Sequence, residues 1–345
     1  MFVIRPIKLE DYETFVHFAF QGEEGISSLT KNKELLKKKI ESSQRAFAAN
    51  VERPVHELYL FALENIETGE MGGVCGICSK TGMEAPVYFF QKEKVHRKPL
   101  KGIPSFKDVE VLKAVSASEA PTEMCTLYMD PVFRKEGVGR LLSLSRFLFM
   151  AAFPQRFDDT VYADMRGFFD ENNRCPFYEG VLHHFVKLER EAFFKLMDKE
   201  LGFLPYVLPD YPIYTQLLPE EVQSCIGKVH PNMELALKML YDEGFQKTNM
   251  IDVLDGGPWI VAQKISIRTI RESSTTSIGA IVTTPLETEE HLLSNERIDF
   301  RACLGNFQIA SSGKATITDA VAKALEVSKG DTIRYVLPRK KREEG

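Results

Sequence analysis

The clearest change of periodicity in this chain lies between residues 122 and 152. In the first part apolar and more polar side chains alternate as in a β-strand, and Asp130 with Pro131 ends the run. The apolar positions of this part are Cys125, Leu127 and Met129. In the last part the apolar residues recur at helical spacing and share one face: Leu141, Leu144, Leu148 and Ala152. The pattern predicts a strand, a turn with two glycines, and an amphipathic helix.

The same reasoning predicts elements on both sides of this unit. Ahead of it we expect a strand at 2–6, helices at 9–20 and 32–47, and a hairpin of strands at 57–64 and 72–79. Four prolines predict that residues 80–121 are irregular. After the unit we expect a strand at 161–165, a charged loop at 166–173, helices at 176–185, 189–199, 218–226 and 231–243, and a strand at 250–254.

From about residue 259 the pattern changes to short β-runs separated by Thr, Ser and Gly. One helix is predicted at 318–325 and a last strand at 332–337. We therefore expect an α+β fold with a mixed sheet flanked by helices over residues 1–258, including a helical insertion at about 166–225. A smaller, β-rich C-terminal domain is expected over residues 259–345.

Composition narrows the function classes. The chain has 345 residues and a formal net charge of −5, and its basic runs, at 37–39 and 339–342, are short, so no nucleic-acid partner is expected. Without a long apolar run or a signal-peptide core, no membrane partner is expected and a cytoplasmic location is the default. Cys75 and Cys78 form an isolated CxxC inside an apolar run, which indicates core packing, and no metal site is expected.

The turn between the central strand and helix has the chemistry of an anion site. Glycines at the start of a helix let a ligand approach the backbone, and the first N–H groups of a helix suit a phosphate. Leu142 stands where a dinucleotide-binding fingerprint needs a small residue, and no P-loop lysine is present. The spacing Arg-x-x-Gly-x-Gly resembles the pyrophosphate loop of the GNAT acyltransferases, which bind acyl-coenzyme A. The alternative is that the glycines only relieve backbone strain.

A second resemblance is more specific. Residues 125–153, together with shorter blocks at 212–215, 226–231, 243–245 and 251–258, resemble the arginine N-succinyltransferase family, and the likeness thins beyond about residue 260. The resemblance implies a GNAT-like fold and transfer of a succinyl group from succinyl-CoA to the α-amine of L-arginine. Some members of that family also accept ornithine. Coenzyme contacts are then expected at Leu127, Tyr128, Met129, Arg134, Gly137, Val138, Gly139 and Arg140.

Two residues are candidates for proton transfer. His230, in Val-His-Pro, matches the histidine assigned as proton donor in the family, and it precedes a predicted helix, whose start disfavours a charged imidazole. A structural histidine at a helix start is the alternative. Tyr241 resembles the thiolate-protonating tyrosine of other GNAT enzymes, although a tyrosine packed on the sheet explains it equally well.

Acceptor binding requires carboxylates for a guanidinium, and the free carboxylate of a succinyl group calls for an arginine. Four charged residues follow a strand end where such sites collect: Asp164, Arg166, Asp170 and Glu171. Ordinary loop charges are the alternative.

A rival function is a catalytically silent CoA-binding module or partner subunit. A homo- or hetero-oligomer is compatible with either function. Ornithine or another amine is the other acceptor to consider.

Overall fold

The structure, a computed structural model, describes residues 1–21, 29–96, 101, 108–200 and 202–339. The basic run of the sequence at 339–342 therefore lies almost entirely outside the described residues. The first half follows the predicted order: β1 (Phe2–Pro6), α1 (Tyr12–Gln21), α2 (Lys33–Ala48), β2 (Leu58–Asn65) and β3 (Met71–Cys78). Asn32 caps α2, because its side chain accepts hydrogen bonds from the amides of Glu34 and Leu35.

The prediction that residues 80–121 are irregular is wrong. They contain a long antiparallel hairpin of β4 (Val87–His96) and β5 (Asp108–Ala117), which pairs in continuous register from Val87 opposite Ala117 to His96 opposite Asp108. Pro86 and Pro121 lie just outside the two strands, where proline removes no ladder hydrogen bond. The other two prolines, Pro99 and Pro104, lie outside the described residues.

The central unit is present as predicted, with β6 (Thr122–Met129), α3 (Val138–Ala152) and β7 (Thr160–Asp164). A π-helical turn at Tyr178–Leu182 leads into short helices and strands: α4 (His183–Val186), α5 (Arg190–Met197), β8 (Ile213–Tyr214), α6 (Glu220–Cys225), α7 (Glu234–Asp242), β9 (Gln246–Asp252), β10 (Pro258–Gln263) and α8 (Arg268–Glu272). The C-terminal region holds β11 (Ser274–Val282), β12 (Glu290–Asn295), β13 (Ala302–Ile309), β14 (Ala315–Thr318), α9 (Asp319–Leu325) and β15 (Thr332–Val336).

The strands join in one extended order, β12-β15-β11-β14-β13-β1-β2-β3-β6-β7-β10-β9-β4-β5-β8. Pairings are antiparallel except where β6 meets β7 and β11 meets β14. The mixed sheet with helices and the β-rich C-terminal region are thus confirmed. Strand β10, which crosses the expected boundary at 258/259, pairs with β7 and β9, and β13 pairs with β1. The division into two domains stays a prediction.

Helix α3 is the centre of the largest core. It is buried around most of its circumference, and the Phe149 ring contacts the rings of Tyr59, Phe61 and Phe300 at centroid distances of 5.2, 5.2 and 5.3 Å. Phe300 comes from the C-terminal region, so this core draws on both parts of the chain. Across the described ranges, no helix is long and apolar enough to span a bilayer.

Candidate active site

The candidate site lies where two parallel neighbours of the central sheet stop pairing. Strands β6 and β7 pair at Thr122 opposite Val161 and at Glu123 opposite Tyr162. Beyond these pairs a cavity of about 110 Å³ lies between them, bounded by α3, α5, α7 and the end of β9. Its lining includes three of the predicted site residues: Leu127, Asp164 and Arg166. Beyond these two pairs, an extended ligand can therefore lie beside β6 in the position that β7 would take if the strands stayed paired.

Strand β6 is not the regular strand that its alternation predicts. Cys125 is opposite Gly76 and Tyr128 is opposite Val74 of β3, so Thr126 and Leu127 together face the single residue Cys75. This β-bulge gives Thr126 a positive φ of 47°, which is unusual for a β-branched residue. A bulge turns peptide groups out of the ladder, and here it does so beside the cavity.

The start of α3 has the backbone geometry that the predicted anion site requires. Gly137 is the N-cap residue with a φ of 84°, a left-handed conformation that favours glycine. The amide of Val138 donates to the Lys135 carbonyl at 3.2 Å, whereas no acceptor in the described part of the chain pairs with the amides of Gly139 and Arg140. A Cβ on Gly139 would meet only the Met129 Cε atom, at 3.6 Å. The turn thus exposes helix N–H groups toward open space.

Two predicted coenzyme residues add positive charge to this turn. Arg134 is exposed, and its Nε atom donates to the Met129 carbonyl at 3.4 Å. Arg140 is half-buried, and burial, followed by the charge of Arg339, lowers the pKa of its guanidinium from the usual value. The Val138 side chain packs in the core, so only its backbone is available to a ligand.

Four carboxyl groups line the cavity. Glu123 of β6, Asp164 at the end of β7, Asp252 at the end of β9 and Asp255 in the following turn all line it. Burial, followed by repulsion from Asp252, raises the pKa of Asp255 to about 8. Asp164 is exposed to solvent. The sequence indicated Asp164 but missed the other three.

The segment after β7 is held against the turn after β9. The Asp255 carboxylate accepts hydrogen bonds from the amides of Gly167 and Gly257, both at 2.8 Å. A Cβ on Gly167 would come within 2.2 Å of the Asp255 carbonyl oxygen, so only glycine permits this approach. The contact fixes Arg166, whose guanidinium lies over the Phe169 ring, 4.4 Å from its centroid.

His230 lies next to this segment, at the start of the turn that leads into α7. Its amide donates to the Arg166 carbonyl at 2.9 Å, and its ring centroid is 6.0 Å from that of Phe169, which lines the cavity. The Nδ1 atom accepts a hydrogen bond from the Asn232 amide at 3.2 Å. Because an acceptor nitrogen carries no proton, the neutral ring has its proton on Nε2.

The other predicted residues lie further from the cavity. Tyr241 on α7 is 40% exposed, whereas Met233, Ala236 and Leu240 are the residues of that segment that line the cavity. Asp170 caps its own loop by accepting from the Asn172 and Arg174 amides, each at 2.9 Å, and Glu171 is exposed. Their roles stay predictions.

No group of His, Cys, Asp and Glu suited to a metal ion occurs within the residues that the structure describes. Cys75 and Cys78 lie in the fully buried strand β3, and burial raises the pKa of the Cys75 thiol to about 12. The cavity thus combines a bulged strand suited to an extended chain with carboxyl groups suited to a cation. The exposed amides at the start of α3 are suited to a phosphate, and His230 lies beside Phe169 of the cavity lining.

The whole chain is similar to one family of proteins. The family described as arginine N-succinyltransferase beta subunit matches residues 2–269, and the C-terminal domain of that subunit matches residues 274–336. The arginine N-succinyltransferases of Salmonella paratyphi B and Salmonella typhimurium are each 34% identical over 339 residues, which is 97% of each chain. The solved structure of arginine/ornithine succinyltransferase subunit AI from Pseudomonas aeruginosa matches with a TM-score of 0.88 and 29% identity over 99% of each chain.

Proposed function

This chain belongs to the arginine N-succinyltransferase family of acyltransferases, and on that premise we propose that it transfers a succinyl group from succinyl-CoA to the α-amine of L-arginine. The reaction would serve arginine catabolism by the succinyltransferase route. The observation that carries the proposal is the cavity between β6 and β7, with a bulge on one side and the uncapped start of α3 next to it.

The donor half of the proposal rests on α3 and β6. The amides of Gly139 and Arg140 are suited to the pyrophosphate of coenzyme A, and Arg134 adds charge at the same turn. The pantetheine arm would lie along β6 where β7 has separated, with its thioester near Leu127. An N–H group turned out by the bulge would then stabilise the oxyanion that forms during acyl transfer.

Binding of the acceptor amino acid is assigned to the carboxyl groups that line the cavity. A guanidinium binds carboxylates through a planar fork of N–H groups, and several carboxylates converge here from β6, β7 and β9. Ornithine is the second candidate, because its ammonium would also be attracted by these carboxylates. The solved relative is named for both amino acids, which supports keeping ornithine in the test.

Proton transfer is assigned to His230, with Tyr241 as the alternative. The neutral α-amine attacks the thioester carbon, the C–N bond forms and the C–S bond breaks, so the nitrogen must lose one proton and the thiolate must gain one. His230 lies beside Phe169, which lines the cavity, and we assign it the transfer of this proton. Because neutral imidazole is a very weak acid, the ring would take up the amine proton at Nδ1 before Nε2 gives its proton to the thiolate.

The family description as a beta subunit also supports an assembly of more than one chain.

The test is the arginine-dependent release of free coenzyme A. Purified protein with succinyl-CoA should release thiol on addition of L-arginine, at a rate well above that with no acceptor, and the ornithine rate ranks the second substrate. Tight binding of succinyl-CoA without turnover of any basic amino acid would support a catalytically silent subunit instead. Calorimetry on the same preparation separates that result from an inactive, misfolded sample.

A further inference from the structure

Arg146, on the third turn of α3, is a cavity residue that the sequence did not single out. Its side chain is 2% exposed, and it lines the cavity beside Cys125. Its guanidinium donates to neutral groups: Nε to the Ser143 carbonyl at 3.0 Å, Nη2 to the Ser143 hydroxyl at 3.1 Å, and Nη1 to the carbonyls of Gly76 and Cys125, both at 3.3 Å. Two of these acceptors lie at the start of the bulge.

The charge of Arg146 has no carboxylate counterpart among the residues the structure describes. Burial lowers the pKa of its guanidinium, and the titratable groups that act on it are the thiols of Cys75 and Cys125. Two other buried arginines of this chain are paired with a carboxylate, Arg5 with Asp11 at 2.7 Å and Arg268 with Glu243 at 2.7 Å, whereas Arg156 is hydrogen-bonded to neutral acceptors away from the cavity. A buried cation without an anion is unfavourable, so an anionic ligand at this position would be strongly stabilised.

The position of Arg146 suggests which anion binds. Its Nη1 atom is bonded to the Cys125 carbonyl, at the bulge beside which the proposed function places the thioester. The succinyl group carries its free carboxylate only two methylene groups beyond the thioester carbonyl. Asp164 and Asp252 lie at the ends of β7 and β9 and Asp255 in the following turn, whereas Arg146 lies on α3, so the cationic end of the acceptor and the anionic end of the donor would be drawn to different walls.

We propose that Arg146 binds the free carboxylate of the succinyl donor and so selects a dicarboxylic acyl-CoA over a neutral one. This rests on the proposed function. The acyl-CoA with a methyl group in place of the carboxylate, butyryl-CoA, should bind the parent protein less tightly than succinyl-CoA. The gap should be roughly 10- to 100-fold, the size expected for hydrogen bonds to a charged group.

The test compares dissociation constants for the two thioesters, measured by calorimetry without acceptor. Arg146→Gln should remove most of the preference for succinyl-CoA and leave butyryl-CoA binding nearly unchanged. Arg146→Lys keeps the charge but not the planar fork, so it should retain only part of the preference. The matched control is Arg156→Gln. Arg156 is also buried and hydrogen-bonded to neutral acceptors, including the Tyr59 hydroxyl at 2.9 Å. It does not line the cavity.

Equal losses for both thioesters in Arg146→Gln would show that Arg146 only supports the bulge, and would overturn the inference. If that variant does not fold, an unchanged preference in Arg146→Lys overturns it as well. A raised KM for arginine with an unchanged donor preference would assign the guanidinium to the α-carboxylate of the acceptor instead. The proposed function fails separately, when the parent protein releases no coenzyme A from succinyl-CoA with any basic amino acid.

Discussion

His230 is held beside Phe169 of the cavity lining by two hydrogen bonds. Its amide donates to the Arg166 carbonyl, and its ring Nδ1 accepts from the Asn232 amide. His230→Asn preserves an acceptor for that amide, because asparagine is a favoured N-cap residue, but it cannot exchange protons. We expect its kcat to fall by about 10² to 10⁴, with succinyl-CoA affinity unchanged. Steady-state turnover, calorimetry and thermal unfolding of the variant measure the three quantities.

The control for this prediction is Tyr241→Phe, which removes the other candidate hydroxyl without changing the packing. It should retain most of the parent activity. If His230→Asn keeps turnover within about threefold of the parent, far short of the usual contribution of a positioned acid or base, His230 is structural. A large loss in Tyr241→Phe would then assign the proton to the tyrosine.

Asp255 is expected to make the free energy of unfolding decrease as the pH rises. Burial, followed by repulsion from Asp252, raises its pKa from 3.8 to about 8. Between these values the folded protein binds more protons than the unfolded chain, so the free energy of unfolding falls as pH rises. Asp255→Asn should flatten this decline, by at most about 1.4 kcal/mol per pH unit.

Urea unfolding at several pH values between 4 and 8 measures that slope. The lost hydrogen bond to Gly167 or Gly257 lowers stability by a constant amount, so only the slope is compared. The same substitution at the exposed Asp210 should leave the slope of the parent unchanged. An unaltered slope in Asp255→Asn would contradict the assignment of an elevated pKa to this carboxyl.

The sequence indicated individual site residues only where a local pattern or a family motif marked them. Asp164 and Arg166 follow a strand end, and both line the cavity. Asp252 and Asp255 lie in a block that resembles the family motif, but their approach to Asp164 depends on how distant strands pair. Arg146 is a polar residue within the largely apolar helix α3, and polar residues are common on the exposed face of a helix. No local signal shows that such a residue is buried beside a cavity.

At the scale of elements, the start of α3 can be tested with little risk to the fold. A Cβ on Gly139 finds space in the protein, whereas Gly137 has a positive φ and is strained by any side chain. Gly139→Val should therefore fold normally and bind coenzyme A at least about tenfold more weakly, because the side chain fills the space in front of the helix amides.

Gly202→Val is the matched control, since a Cβ there meets nothing within 4 Å. It should leave coenzyme A affinity unchanged. Equal affinities for Gly139→Val and the parent, measured by calorimetry, would show that the pyrophosphate binds elsewhere.

Elements with a regular period were predictable, and departures from regularity were not. The hairpin of β2 and β3 and the unit from β6 to α3 have the expected bounds within a few residues. The hairpin of β4 and β5 does not follow from the sequence pattern, because proline normally interrupts a strand, whereas Pro86 and Pro121 here only flank the two strands. The bulge at Thr126 leaves no mark in the alternation, because it depends on pairing with β3.

For the whole molecule, the C-terminal region is expected to be needed for folding of the rest. Leu292, Phe300, Ala302 and Val336 belong to the core around α3, and β13 covers the edge of β1. Removing residues 274–345 would expose this core and the edge strand. We expect the remaining chain to lack a cooperative unfolding transition, and the full chain to unfold in one transition by calorimetry.

Two separate transitions in the full chain, with the lower one matching an isolated fragment of residues 1–273, would instead support independent domains. The sequence could not decide this point. It marked the change of pattern at about residue 259, but the pairing of β10 with β7 and of β13 with β1 joins residues far apart in the chain. Such pairings follow from the packing of the complete molecule.

The proposed reaction is tested most directly by identifying the product by NMR and mass spectrometry after incubation with succinyl-CoA and L-arginine. We expect one succinyl group on the α-nitrogen, formed in equal amount to the coenzyme A released. Arginine already acetylated on its α-nitrogen should give no product. Release of coenzyme A without a succinylated amino acid, or a succinyl group on the guanidinium, would contradict it.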